Sequence, residues 1–260
     1  MPVEKSSAVV IGSFPLGESD RVVTFFTRRF GKVRGVAKAA RRMKSRFGSA
    51  LELFTEGELV FFDGGRSDLV QVDHFDMTSP FVRVRDDLEC LGHAAWMAES
   101  VGRLTAERDP SAAVYGLLGR ALRTIERGAP PARVAAVFGV RLIDTLGHRL
   151  RTDVCVACGR ARSGAAGSVA VDVEGGGTVC PTCAPLTPGV IAVSAAALTA
   201  LTKLRTSAWD EALSLRLGQA EQDVRRVLEA QTTRLVGQPS PASRFLREVS
   251  RVIPVPRGAE

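Results

Sequence analysis

Val22-Val23-Thr24-Phe25-Phe26-Thr27 is a run of β-branched and aromatic residues, the composition that a pleated, half-buried strand favours. Working outward, Ala8 to Phe14 precedes it, with Pro15-Leu16-Gly17 as a break, and Val33 to Ala37 follows. Glu58-Leu59-Val60-Phe61-Phe62 and Leu69 to Phe75 flank Asp63-Gly64-Gly65 and read as a hairpin. Five short strands within residues 8–76, without a long helix among them, predict a small closed barrel. The five-stranded case is the OB-fold, which commonly binds oligonucleotides. Residues 1–80 are therefore expected to be an OB-fold DNA-binding domain.

From about residue 81 the apolar period becomes helical. Leu88, Leu91, Ala95 and Ala98 form one stripe; Val114, Leu117, Leu118, Ala121, Leu122 and Ile125 form a cleaner one. Val134, Val137, Phe138, Leu142 and Leu146 repeat after Pro130-Pro131. Ser194 is placed to cap a helix carrying Ala197, Leu198, Leu201 and Leu204. A long stripe from Leu213 through Ala220, Val224, Val227 and Leu228 to Leu235 comes next, and Ser240-Pro241 opens a last helix. Residues 81–260 thus read as a helical domain, interrupted at 152–187.

That interruption contains Cys155-Val156-Ala157-Cys158-Gly159 and Cys180-Pro181-Thr182-Cys183, with 21 residues between the pairs. Two C-x2-C pairs supply the four thiolates of a closed tetrahedral site, so Cys155, Cys158, Cys180 and Cys183 are expected to bind one structural Zn2+. The Gly-, Ser-, Ala- and Val-rich flanks cannot build a core of their own, and metal would stand in for one. No thioredoxin-like βαβ pattern surrounds either pair, which disfavours redox dithiols. His148 is expected to cap the preceding helix rather than ligate.

The chain has 260 residues and a formal net charge of +7. Residues 1–50 hold 11 Lys/Arg against three acids, a net of +8, so the whole basic excess lies in the first fifth. Between Arg28 and Arg46 there are nine bases and no acid. Like charges repel at a cost unless a polyanion neutralises them. Lys32, Arg34, Lys38, Arg41, Arg42, Lys44 and Arg46 are the candidate DNA-binding residues, with strand alternation aiming Lys32, Arg34 and Lys38 one way. Phe30 and Phe47 bracket the run and are candidates to stack on bases. No amphipathic anchoring helix accompanies the patch, so anionic lipid is disfavoured.

Other chemistry finds no support. There is no phosphate-binding G-x-x-x-x-G-K-[ST], no Rossmann glycine set in a βαβ context, and no G-x-S-x-G elbow. The histidines stand apart at 74, 93 and 148. Asp86-Asp87 reads as helix-start chemistry, and Cys90, Trp96 and Trp209 as packing residues. No apolar run approaches the roughly 18 residues of a membrane span, and the N-terminus lacks secretion-signal features, so a cytoplasmic location is expected. A zinc-dependent nucleic-acid-processing enzyme would need an open zinc position and a general base. A zinc-ribbon transcription factor would need more bases than Arg160 and Arg162 in its ribbon. Both remain alternatives.

Leu16-Gly17-Glu18-Ser19-Asp20-Arg21, Phe26-Thr27 with Phe30-Gly31-Lys32, Val36-Ala37-Lys38-Ala39-Ala40-Arg41-Arg42, and Ser45-Arg46-Phe47-Gly48 resemble the RecO family of bacterial recombination mediators. The domain order and the paired cysteines are similar too, although many relatives lack some of the four; where relatives often have Gly after the lysine, this chain has Ala39. The resemblance implies an α+β multidomain protein, with an N-terminal five-stranded OB-fold β-barrel followed by an α-helical domain with an inserted four-cysteine zinc module. It also implies binding of single- and double-stranded DNA and annealing of complementary strands. With RecR, such proteins help load RecA onto strands coated by single-strand-binding protein. No bond-breaking activity, no membrane partner and a nucleoid-associated cytoplasmic location go with it.

Overall fold

The computed structural model of the chain describes residues 2–65, 67–162 and 167–252. Its residues group into two units: residues 2–132 with the helix that starts at Pro241, and Arg133–Ser240. The boundary expected at residue 80 from the change in period therefore differs from the spatial grouping, which keeps the first helices with the barrel.

In the first unit, β1 (Val3–Leu16), β2 (Asp20–Thr27), β3 (Gly31–Ala37), β4 (Glu56–Phe62) and β5 (Leu69–Ser79) form a closed barrel in the order β1-β2-β3-β5-β4. The pairing of β3 with β5 is parallel; all others are antiparallel. Closure is the work of β1, which is longer than its apolar run suggested. Its first half pairs with β4, Val3↔Phe62 to Val9↔Glu56, and its second half with β2, Ala8↔Thr27 to Leu16↔Asp20. A bulge between Val10 and Gly12 turns the strand from one partner to the other. Lys5, Ser6 and Ser7 carry no apolar alternation, so this half was not legible as a strand.

Alternation along β2 and β3 puts Val23, Phe25, Val33 and Ala37 inside, where they meet Leu59, Phe61, Val72 and Phe75. Phe25 and Phe75 are tilted against each other at 5.3 Å. Truncating Phe61 to Ala would cost about 3–5 kcal/mol by emptying that interior.

Helices α1 (Val82–Asp86), α2 (Leu88–Leu104) and α3 (Ala112–Glu126) follow. Asp87 caps α2 by accepting from the Cys90 amide at 2.8 Å, and Ser111 caps α3. Cys90 is buried, which pushes its thiol up to about 11. Glu56 on β4 accepts from Tyr115 at 3.1 Å and from Arg123 at 2.6 Å, tying α3 to the barrel. The stripe expected on α2 is met only at Ala98: Leu88 is exposed, and the buried positions include Cys90, Ala94, Trp96, Met97, Ser100 and Val101. Gly92 and Ala98, on another part of α2, are buried as well. The terminal helix packs there, and a Cβ on Gly92 would stand 2.5 Å from Leu246.

The second unit holds most of α4 (Pro131–Thr145), then β6 (Arg151–Cys155), β7 (Ser168–Asp172), β8 (Gly177–Val179) and β9 (Ile191–Ser194), then α5 (Ala195–Thr206), α6 (Trp209–Ser214) and α7 (Ala220–Val236). The terminal helix of the first unit is α8 (Pro241–Val252). The four strands form one sheet in the order β6-β8-β7-β9. Ser194 caps α5 through the Ala197 amide, as its position in the sequence suggested. The long stripe from Leu213 to Leu235 is two helices, because residues 215–219 leave the helical path. Trp96 and Trp209 are both buried.

Candidate nucleic-acid interface and metal centre

The basic run leaves β3 and passes through overlapping turns. Arg42 donates to the Ala39 carbonyl, Ser45 to Arg42, Gly48 to Ser45 and Ala50 to Phe47. The far end of these turns plugs the barrel with Phe47, Ala50 and Leu51, all buried in its core. Phe47 is therefore a core residue and is not free to stack on a base. Phe30 is half-buried, edge-on to Phe61 at 5.5 Å.

The near end is anchored to the β1–β2 turn. The Ala39 amide donates to Asp20 Oδ1 at 2.8 Å, the Arg41 amide to the Ser19 carbonyl at 2.9 Å, and the Arg41 guanidinium to the Gly17 carbonyl at 3.0 Å. The Ala39 amide, then the Ser19 hydroxyl, then Lys38 and Arg42 hold the Asp20 carboxyl below its ordinary 3.8. Ala39 has φ +56°, the left-handed region that favours glycine.

The seven candidate cations do not share one fate. Lys38, Arg41, Arg42, Lys44 and Arg46 are exposed. Among the described residues the side chains of Lys38, Arg42 and Lys44 form no hydrogen bond or salt bridge, although Lys38 and Arg42 act on the Asp20 carboxyl, while Arg46 reaches the Val72 carbonyl and lies over the Phe47 ring. Lys32 is different. Its side chain is only 13% exposed, and its ammonium donates to the Gly102 and Thr105 carbonyls at 2.6 and 2.9 Å, with Glu107 at 3.5 Å. Arg34 faces the same Glu107 at 3.4 Å. The outward aim expected from alternation holds for both, but the segment after α2 lies along that edge and supplies their counter-charge. Lys32 fastens the C-terminal end of α2 to β3. Gly31 makes this approach possible, since a Cβ there, at φ +63°, would collide with the Asp109 backbone.

The second constellation is the sulfur cluster. The Sγ atoms of Cys155, Cys158, Cys180 and Cys183 lie within 4.8 Å of one another, and Cys158 and Cys180 are 3.9 Å apart. A tetrahedron of sulfurs about 2.3 Å from one ion has edges of about 3.8 Å, so the cluster has the size of a four-thiolate metal site. Cys155 ends β6, and the chain curls so that the Gly159 amide returns to the Cys155 carbonyl at 2.8 Å, with Gly159 at φ +73°. The second pair sits on a similar turn, where the Cys183 and Ala184 amides donate to Cys180 at 3.0 and 2.9 Å. The Cys180 amide points at Cys155 Sγ from 3.3 Å. That amide, with those of Cys158 and Ala157, lowers the Cys155 thiol's pKa; the Cys183 amide does the same for Cys180. Cys183 is raised, because its neighbours' sulfurs hold its proton. Cys155 and Cys180 thus sit among amides that favour the thiolate, the form that ligates a metal. Residues 163–166 of the small-residue stretch between the pairs lie outside the described residues.

His148 is not near this role. Its amide closes the end of α4 on the Ile143 carbonyl, and its own carbonyl accepts from Gln231. The helix cap expected of it is thus made by backbone, with Gly147 in the left-handed turn before it.

Comparison with known proteins gives the family. The family model described as recombination protein O N terminal matches residues 1–81, and recombination protein O C terminal matches residues 85–244. The chain belongs to the RecO family. It is 39% identical over 218 residues to the DNA repair protein RecO of Frankia casuarinae, covering 82% of this chain and 86% of that one. With RecO of Anaeromyxobacter sp. strain Fw109-5 it shares 33% over 250 residues, 96% of this chain and 97% of the relative. RecO membership places the protein in DNA repair and recombination.

Two features of this RecO chain escaped the sequence reading. One is a pair of exposed apolar residues, Phe14 and Leu16, beside the basic turns. Their signal was present as apolar residues two apart in front of Gly17. The other is a cavity of about 430 Å³ in the second unit, where Ile143, Leu201 and Leu228 meet Arg149, Arg151 and Arg205. It has no local signal, because three separate segments build it. Among the described residues no helix is long and apolar enough to cross a membrane.

Proposed function

We propose that the protein is a recombination mediator that binds single- and double-stranded DNA through the basic turns of its barrel and anneals complementary strands. With RecR it promotes loading of RecA onto strands coated by single-strand-binding protein, in the cytoplasm at the nucleoid. The observation that carries the DNA surface is the set of exposed cations from Lys38 to Arg46, three of whose side chains make no salt bridge among the described residues. Such charges neutralise phosphates on two strands at once, lowering their repulsion and releasing counterions. The proposal assigns no bond-breaking step.

Cys155, Cys158, Cys180 and Cys183 would hold one Zn2+, since four thiolates in a tetrahedron suit a soft-ligand structural site. Four protein ligands leave no open position for a reacting water, which favours a structural ion over a catalytic one.

The cavity in the second unit supports a protein partner. An apolar lining with three arginines against one acid, Asp153, suits an acidic segment ending in apolar side chains. The tail of single-strand-binding protein is our candidate.

The test is the salt dependence of binding. Replacing Arg41, Arg42 and Lys44 together by Ala should lower the log–log slope on single-stranded DNA by about 2, at about 0.7 per lost phosphate contact. Annealing should weaken with it, and the folded state should be unaffected because the three side chains are exposed. An unchanged slope would place the DNA surface elsewhere. Annealing that stops on chelation while the fold persists would favour the metal-dependent enzyme instead.

A further inference from the structure

Phe14 and Leu16 stand on the outer face of the barrel, 51% and 41% exposed. Two residues apart on one strand, they share a face. The register extends that face across the sheet, because Phe14 pairs with Val22, Val22 with Val36, and Val36 with Gln71. Val22 is buried and Val36 half-buried, so the accessible part of that row is the Phe14 ring itself. The next row holds Gly12, Thr24 and Arg34. Gly12, two residues before Phe14 on its own strand, places no side chain beside the ring.

A single exposed apolar residue needs no explanation, but this pair sits beside the strongest positive charge in the chain. Leu16 is followed directly by Gly17, whose carbonyl accepts from Arg41. Gly17 is three residues from Phe14, about 10 Å along an extended strand. Ring and guanidinium thus lie within reach of one nucleotide and its neighbour. Met43, at the tip of the same turns, is fully exposed between Arg42 and Lys44. Apolar surface bounded by exposed cations suits a polyanion that carries its own flat apolar faces, and an unpaired nucleic-acid strand is such a ligand. Duplex DNA is not, since its base faces are stacked on one another.

We propose that Phe14, flanked by Leu16, is the platform on which the barrel stacks unpaired bases, while the basic turns hold the adjoining phosphates. The assignment rests on the barrel's basic turns being the DNA surface. It replaces the stacking role that Phe47's position in the sequence suggested, and it gives one surface two modes. Phosphate contacts serve both DNA forms, and the ring serves single strands alone.

The experiment uses the full chain with an oligo-dT and a duplex of equal length. Phe14→Ala should weaken binding to oligo-dT about fivefold, the low end of base–aromatic stacking, and leave the duplex within about twofold. Its salt slope should equal that of the unaltered chain, because the ring neutralises no phosphate. Phe14→Trp should keep both affinities, and the added indole's emission should fall on oligo-dT and not on duplex. Equal losses on both ligands, no loss on either, or an indole that ignores oligo-dT would overturn the platform. The Arg41/Arg42/Lys44 triple variant separates the two ideas. If it leaves the slope unchanged, the DNA surface itself is misplaced; if it lowers the slope while Phe14→Ala changes nothing, only the platform fails.

Discussion

The barrel and the four-cysteine sheet are both small β structures, yet different forces hold them. The barrel buries Phe25, Phe61 and Phe75 among valines and leucines inside a closed ring of strands, and Phe47 closes one end. The sheet buries Val169, Val171, Val173, Val179 and Val193, with no aromatic ring among them, and its sulfur cluster lies at one end. Side-chain volume suffices in the first and not in the second. The functional consequence is separability. In the barrel the exposed cations contribute nothing to the core, so binding can be removed while the fold stays. In the sheet the four cysteines that would hold a metal would also stand in for a core, so neither role could be altered alone.

The contrast breaks first at the metal. Purified without added zinc, the protein should carry about one zinc per chain, and stripping it should remove an interaction of about 10–16 kcal/mol from the sheet. Limited proteolysis should then open residues 151–194 while the barrel resists, and Cys155→Ser should act similarly. Four thiols that titrate freely in a metal-free but unaltered fold would erase the difference between the regions.

The barrel's independence of metal predicts that its weak points are steric. Gly31→Ala forces a Cβ into the Asp109 backbone at a left-handed φ, and should cost about 3 kcal/mol or more in chemical denaturation. A near-neutral result would mean that Lys32 and the segment after α2 are not seated as described.

Asp20 links barrel and turns by a charge instead. Its carboxyl is held below 3.8 by the Ala39 amide first, so its stabilising contribution is complete above that pH and is lost as pH falls through the lower folded-state value. The acid limb of a stability–pH profile should therefore contain a component below pH 3.8 that Asp20→Ala removes. If the variant's acid limb matches the parent's, Asp20 does not anchor the turns.

The smallest effect belongs to Ala39. Glycine relieves a left-handed φ that costs an alanine about 1–2 kcal/mol, but loses about 0.4–1 kcal/mol through the freer unfolded chain. Ala39→Gly should raise stability by about 0.5 kcal/mol and leave the salt slope unchanged. A destabilised Ala39→Gly would show that the turn prefers its side chain.

Much of this was legible because it is local. The strands announced themselves through β-branched and aromatic runs, and the α3 stripe from Val114 to Ile125 is buried as its spacing requires. The cysteine pairs were legible because two residues between thiols allow only a tight turn. The α2 stripe was misread because α2 buries surface on more than one side, so its apolar residues do not fall on a single line. Lys5 to Ser7 gave no strand signal because backbone pairing with β4, not apolar side chains, makes them a strand.

The sequence by itself determined the barrel's alternation, the charge density of residues 28–46 and the four thiols, since each depends on spacing along the chain. Only the tertiary structure decided which charges and rings stay available. Lys32 and Arg34 meet Glu107, more than seventy positions away, and Phe47 turns inward while Phe14 faces water. Neutralisation and burial depend on distances in space, and a chain folded into a closed barrel sets those distances through partners that its local order does not reveal.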